Sequence, residues 1–125
     1  LHPHQVGRPY RYLYIGAAHA PRGNAPLQAL LKRDLETGEE QIWSEAPRGF
    51  MSEPVFVPRP NGTAEDDGWV LCLIYNAARQ CSDLIILDAR KIEAGAIARL
   101  QLKHHVPYGL HGNFTPHYFG PDLQT

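Results

Sequence analysis

Short strand-like runs separated by turn residues are the feature that most constrains the fold of this 125-residue chain. Each run is rich in β-branched, aliphatic or aromatic residues, and glycine, proline, asparagine or aspartate follows it. We predict strands at residues 10–17, 27–34, 39–44, 52–58, 68–75, 83–88 and 97–102, and a coil with short extended pieces at residues 106–119. No segment shows a long helical period. The class is therefore all-β: a sandwich, a barrel or a propeller.

One strand pattern occurs twice along the chain. A longer aromatic or aliphatic strand is followed by a strand that ends in aspartate, at Asp34 and again at Asp88. Two four-stranded antiparallel units in tandem are typical of two propeller blades. Two blades cannot close a ring, and each would leave apolar faces without a neighbour. We therefore expect the chain to be an incomplete fragment of a longer protein.

Charge and cysteine content exclude several classes of function. The formal net charge is −1 and no basic stripe is present, so we expect no nucleic-acid partner. The longest apolar runs are too short to span a bilayer. Cys72 and Cys81 match no zinc pattern, and free thiols are favoured over a disulfide, which stays open. The acidic run at residues 65–67 is interpreted as a solvated turn.

His111 is the strongest candidate for a metal ligand among seven histidines. Gly109 and Gly112 flank it and Pro107 precedes it, which predicts a tight turn that fixes the direction of the imidazole. A solvated histidine in a flexible turn is the alternative. Five others are not expected to be ligands: His2, His4, His19, His104 and His105.

Glu53 is the second candidate, because it lies inside a predicted strand, between Ser52 and Pro54. Strands are depleted in glutamate, and an unpaired buried carboxylate is costly. The side chain therefore either faces solvent or is paired with a partner. One such partner is a metal-bound histidine, which commonly donates its second N–H group to a carboxylate.

Four segments occur in an order that resembles the C-terminal part of the carotenoid oxygenases, also called carotenoid cleavage dioxygenases. They are SEPVFVPR (52–59), EDDGW (65–69), SDLIILDA (82–89) and PYGLHG (107–112). The resemblance covers nearly the whole chain. It implies that residues 1–125 are the C-terminal part of a single carotenoid oxygenase propeller domain, roughly the last two blades of a seven-bladed β-propeller.

The resemblance also implies a metal site. Family members hold a non-haem Fe(2+) ion with four histidines, and three glutamates hydrogen-bond to ligand histidines. By motif, His111 resembles the last of the four ligands and Glu53 resembles one of the three glutamates. The other ligands have no matching position here. No catalytic residue beyond the metal ligand is predicted, and the substrate-binding residues are not assigned.

The implied activity is that of an oxidoreductase, a dioxygenase that cleaves a C=C bond of a carotenoid or apocarotenoid to two carbonyl products. Molecular oxygen is the co-substrate. The resemblance implies peripheral membrane contact for a full-length protein, in the cytoplasm or a plastid. We expect the fragment alone to be inactive. A non-catalytic β-repeat that serves as an interaction module is the main alternative, and an unrelated β-sandwich binding protein is a weaker one.

Overall fold

The computed structural model describes residues 2–20, 22, 25–109 and 111–121, and within them the all-β prediction is confirmed. The described residues form eight strands: β1 (Tyr12–Ala18), β2 (Leu27–Asp34), β3 (Glu40–Ser44), β4 (Gly49–Met51), β5 (Val55–Pro58), β6 (Gly68–Asn76), β7 (Cys81–Asp88) and β8 (Ala96–Gln101). Short 3₁₀ helices span Pro3–Gln5 and Ile92–Ala94. Within the described ranges, no helix is long and apolar enough to cross a membrane.

The strands form two antiparallel sheets. The first has the order β1-β2-β3, and the second has the order β4-β6-β7-β8, with β5 also paired to β6. The prediction of four strands is wrong for the second sheet, which has five strands and is four strands wide, because β4 and β5 pair with successive parts of β6. It is also wrong for the first sheet, which has three strands in the described residues.

Both turns that follow an aspartate have the same local chemistry. The Asp34 carboxylate accepts a hydrogen bond from the Glu36 N–H group (2.9 Å), and the Asp88 carboxylate accepts one from the Arg90 N–H group (2.8 Å). Such Asx contacts satisfy main-chain donors where the strand ends. The predicted hairpin turn at Gly38, with φ of 77°, closes β2 onto β3.

The core lies between the two sheets. Strand β6 alternates, so Val70, Cys72 and Ile74 are buried toward the first sheet. Leu30 of β2 is fully buried against this layer. At the standard value of about 25 cal/mol per Å² of apolar area, burial of each large aliphatic side chain contributes about 2 kcal/mol.

The acidic run at residues 65–67 is not solvated, which corrects the sequence interpretation. The Glu65 carboxylate accepts the main-chain N–H groups of Arg11 and Tyr12 at 2.9 Å each. Asp66 pairs with Lys32 of β2 at 2.8 Å. These contacts join the loop before β6 to the first sheet, so the run connects the two sheets.

The odd-numbered side chains of β6 point away from the first sheet. Leu71 and Leu73 lie on this opposite face, together with Leu84 of β7, and they are only partly buried. The coil that follows β8 returns across this face. The candidate site is formed there, on the side of the second sheet that the first sheet does not cover.

Candidate metal site

Glu53 projects from an interruption in the ladder on β6. Met51 of β4 pairs with Ile74, and Val55 of β5 pairs with Leu71. Three residues, 52–54, therefore lie opposite two residues, 72 and 73. One extra residue on one side is the geometry of a β-bulge, and it pushes a side chain out of the ladder. The single predicted strand at residues 52–58 is therefore wrong, and Glu53 lies between two strands instead of within one.

The sequence explains why pairing fails at this point. Pro54 has no N–H group to donate, so it cannot complete a ladder hydrogen bond. Ser52 compensates on the other side of Glu53. Its N–H group donates to the Leu73 carbonyl oxygen at 2.9 Å, and its hydroxyl donates to the same oxygen at 3.1 Å. The segment is thus anchored to β6 immediately before the carboxylate.

His111 and Glu53 are hydrogen-bonded to each other, although 58 positions separate them. The distance from Nδ1 of His111 to Oε2 of Glu53 is 2.9 Å. An ionised carboxylate can only accept, so Nδ1 carries the proton. In the neutral ring this leaves the lone pair of Nε2 available. The side chains are 77% and 49% exposed, so Nε2 is open to a ligand from outside the described residues.

The tight glycine turn predicted around His111 falls on Leu110, which lies outside the described residues, and stays a prediction. The flanking residues 105–109 and 111–115 are irregular coil. Positive φ angles among the described glycines occur at Gly7, Gly38 and Gly95, not at Gly109 or Gly112. A Cβ atom at Gly112 would lie 3.8 Å from a Val55 methyl carbon, an ordinary contact. Among the described contacts, the hydrogen bond to Glu53 is the one that directs the imidazole.

A cavity of about 300 Å³ lies between the coil and the open face of β6 and β7. Glu53 and His111 are among its lining residues. The remaining lining is mainly apolar, and Ser52, Ser82 and Tyr108 add hydroxyl groups. Burial, and then the charge of Tyr75, raise the pKa of Tyr108, so this phenol stays neutral near pH 7 and can donate a hydrogen bond.

The other histidines do not converge on this pair. His2 accepts the His4 N–H group at 3.1 Å, and His19 Nδ1 lies 3.0 Å from the Ser44 hydroxyl. His105 packs against the Tyr75 ring with centroids 4.7 Å apart, and His104 is exposed. In the described ranges, no three His, Cys, Asp or Glu side chains form a metal-binding group.

The pair fits a metal site in its donor chemistry. A carboxylate that accepts from one ring nitrogen fixes the tautomer and leaves the other nitrogen as a ligand, which is the usual arrangement around protein-bound metals. The described residues contribute a single such ligand, whereas a stable site requires several.

The two Cys side chains have no part in the site. Both are free thiols, as the sequence favours. Cys72 lies in the core, where its sulfur contacts the Ser52 carbonyl oxygen at 3.5 Å. Burial raises the pKa of Cys72 to about 12, so it stays protonated at neutral pH and is a poor metal ligand.

The described residues are thus all-β, and a carboxylate-held imidazole lies at the edge of a mainly apolar cavity. Residues 1–116 match the Retinal pigment epithelial membrane protein (RPE65) family, and the chain belongs to that family. This result confirms the resemblance to the carotenoid oxygenases at the level of the family and excludes the unrelated β-sandwich alternative.

Two relatives of this chain are named as oxygenases. The chain is 66% identical over 114 residues to the apocarotenoid-15,15'-oxygenase of Synechocystis sp. (strain ATCC 27184 / PCC 6803 / Kazusa), covering 91% of this chain and 23% of that protein. It is 35% identical over 117 residues to the torulene dioxygenase of Fusarium fujikuroi, covering 93% of this chain and 19% of that protein. The chain thus spans about a quarter or less of these relatives.

Solved structures of relatives have the same fold over a similar share of this chain. A cobalt-substituted Synechocystis ACO matches with a TM-score of 0.85 and 67% identity, covering 89% of this chain and 23% of that one. An ACO/RPE65 chimera matches with a TM-score of 0.88 and 60% identity. The cobalt substitution indicates that the former protein contains a metal position.

Proposed function

We propose that this chain is part of a non-haem Fe(II) dioxygenase that cleaves a C=C bond of a carotenoid or apocarotenoid to two carbonyl products. The 2.9 Å hydrogen bond between His111 Nδ1 and Glu53 Oε2 carries the proposal, because it leaves Nε2 as a ligand. The 66% identity to an apocarotenoid oxygenase supports the substrate class. Both atoms of O₂ are accounted for, since one enters each carbonyl product.

His111 would contribute one neutral imidazole to the ion, and Glu53 would hold its ring. When bound, a ferrous ion supplies the activation of O₂ that a closed-shell alkene requires. The chain's own residues do three things: Glu53 keeps the proton on Nδ1, the Ser52 anchor holds Glu53 in place, and the mainly apolar cavity offers a surface to a hydrocarbon. Leu73, Leu84 and Val55 line that cavity and would contact hydrocarbon.

We further propose that residues 1–125 correspond to roughly the last two blades of a seven-bladed propeller. The two successive antiparallel sheets support the propeller architecture, since each has the strand order expected of a blade or of part of one. The placement at the end of the propeller depends on the order of the family motifs. Peripheral membrane contact of the full-length protein belongs to the same proposal, because its substrates are apolar. Alone, residues 1–125 are expected to hold no stoichiometric iron and to cleave no carotenoid.

The test uses a full-length chain that carries this segment. His111→Ala should abolish iron retention after dialysis, and Glu53→Gln should weaken iron affinity by about 10- to 100-fold. Metal content is measured by mass spectrometry, and cleavage by product analysis with an apocarotenal. His104→Ala is the matched control, because His104 is an exposed histidine of the same coil with no side-chain partner assigned to it.

Two results would contradict the proposal. If the wild type retains no iron and yields no carbonyl products, the non-catalytic interaction module becomes the better explanation. If Glu53→Gln keeps wild-type iron affinity and cleavage, Glu53 does not orient the ligand.

A further inference from the structure

Ser82 of β7 extends the β-ladder beyond the last regular strand. Its main-chain N–H group donates to the His104 carbonyl oxygen at 3.0 Å, and its carbonyl oxygen accepts from the Leu102 N–H group at 2.9 Å. Its hydroxyl then accepts from the Val106 N–H group at 2.9 Å. The Val106 carbonyl oxygen lies at a longer 3.5 Å from the same hydroxyl. Through these hydrogen bonds, Ser82 anchors residues 102–106.

The attachment at Val106 lies five residues before His111 in the same coil. Within residues 107–109 and His111, the next hydrogen bond from the coil to the sheets is that of His111 to Glu53. Among the described residues, the Val106 contact is thus the last main-chain attachment before the imidazole. Two described contacts therefore hold this segment: the attachment at Val106 and the hydrogen bond of His111 to the Glu53 carboxylate.

Ser82 is placed to act on the site and is otherwise unexplained. It is 1% exposed, and it lines the same cavity as Glu53 and His111. On the cavity face it stands opposite Tyr75, two register positions beyond the pair Leu73 and Leu84. Ser52 uses its hydroxyl on the Leu73 carbonyl oxygen in a comparable way. Ser52 thus holds the segment that carries Glu53, and Ser82 holds the coil that carries His111.

We infer that Ser82 is a positioning residue for His111: its hydroxyl fixes the coil at Val106 and so sets where the imidazole meets Glu53. The inference rests on the proposed function in assigning a metal to His111. The geometric part, that Ser82 orders the ring, does not require a metal. A buried serine that only satisfied local main-chain groups would affect stability without affecting the ring.

The experiment compares Ser82→Ala, Ser82→Thr and Ser44→Ala in a full-length chain that carries this segment. Ser44 is the matched control, because its hydroxyl likewise donates to one main-chain group (Gln28 oxygen, 3.0 Å) and accepts from another (Ala46 N–H, 3.1 Å). It lies in β3 of the first sheet. Ring order of His111 is read from ¹⁵N relaxation in metal-free protein with labelled histidine, assigned with His111→Ala. Iron affinity is measured separately.

Ser82→Ala should accelerate amide exchange of Val106 by about 10-fold or more, since a protecting hydrogen bond is lost. The Leu102 amide, which bonds to the main chain of residue 82, should keep its rate. The same variant should lower the ring order of His111 and weaken iron affinity by about 10-fold. Ser82→Thr, which keeps the hydroxyl, should restore both, and Ser44→Ala should change neither.

Wild-type ring order and iron affinity in Ser82→Ala would overturn the inference, as would equal losses in Ser44→Ala. The two proposals fail in different ways. If the wild type binds no iron, the metal assignment fails, and the ring order in metal-free protein alone decides the role of Ser82. If iron is bound and Ser82→Ala leaves the ring order unchanged, only the positioning role fails.

Discussion

The hydroxyl of Tyr14 donates a hydrogen bond to the carbonyl oxygen of Ala89 at 3.0 Å, across the interface of the two sheets. Both residues are buried, and 75 positions separate them. Burial raises the pKa of Tyr14 well above its ordinary value, so the donor proton is retained at any physiological pH. The contact specifies how the end of β7 docks on β1.

Tyr14→Phe should therefore destabilise the protein by about 1–2 kcal/mol, because the Ala89 carbonyl oxygen would lose its partner in a buried position. The measurement is the shift in chemical denaturation midpoint of a full-length chain. Tyr12→Phe is the control, since Tyr12 is only partly buried and packs its ring against Lys32. Equal effects of the two substitutions would show that the hydrogen bond is not the cause.

Removal of the Lys32 charge should destabilise the fold more than removal of a surface charge. Its Nζ atom lies 2.8 Å from Asp66 Oδ2, and the side chains are 5% and 16% exposed. Lys32→Met leaves Asp66 without its partner, at a cost of about 3–5 kcal/mol. The double variant Lys32→Met with Asp66→Asn should recover part of that loss. Denaturation midpoints of the four proteins in this cycle give the coupling.

The control for that cycle is Arg33→Ala, because Arg33 pairs with Glu40 at 2.9 Å on the surface. Exposed pairs contribute about 0.5 kcal/mol or less. If Lys32→Met costs no more than Arg33→Ala, the buried pair does not hold the acidic loop on the first sheet.

Low pH should lower the free energy of unfolding, because Asp34 becomes protonated. The Arg11 guanidinium, hydrogen-bonded to this carboxylate, holds its pKa well below the ordinary value near 4. Because the folded-state pKa is lowered, the stabilisation is present above the unfolded-state pKa and is lost as the pH falls through the folded-state value. Thermal melts of wild type and Asp34→Asn should therefore converge as the pH decreases from about 4. A constant difference down to pH 2 would contradict this assignment.

The two thiols should react at different rates. Cys72 is 1% exposed with its pKa raised to about 12, whereas Cys81 is partly exposed at the start of β7. Because the thiolate is the nucleophile, iodoacetamide at neutral pH should label Cys81 first and label Cys72 only after denaturation. Peptide mass spectrometry resolves the two sites, and Cys81→Ser removes the fast reaction. Rapid native labelling of Cys72 would show that the core opens locally.

Regular strands were predictable because their patterns are long. The predicted range 27–34 coincides with β2, since Leu27 and residues 29–31 are apolar and the glycine turn at Gly38 follows. Strand β4 was missed because three residues, Gly49–Met51, are too short to show a period. The composition of residues 52–58 is typical of one continuous strand. The interruption at residues 52–54 is visible only in the pairing with β6.

The site was predictable in its residues but not in its geometry. His111 and Glu53 were identified by unusual context and by family motifs, yet no local pattern shows that residues 58 positions apart will touch. The glycines around His111 predict a turn at Leu110, which lies outside the described residues. Ser82 gave no signal in the sequence, because a serine in a strand becomes informative only when its partner on the returning coil is known.

The three-against-two mismatch beside Glu53 has an evolutionary consequence. Strands β4 and β5 stay in register with β6 on both sides of the mismatch, so residue 53 can be exchanged without disturbing the ladder. Loss of any one residue from 52–54 would equalise the two sides, draw the segment into regular pairing and remove the carboxylate from the histidine. Substitutions at this position should thus be readily accepted by the fold, whereas deletion of one residue would preserve the ladder and remove the contact with His111.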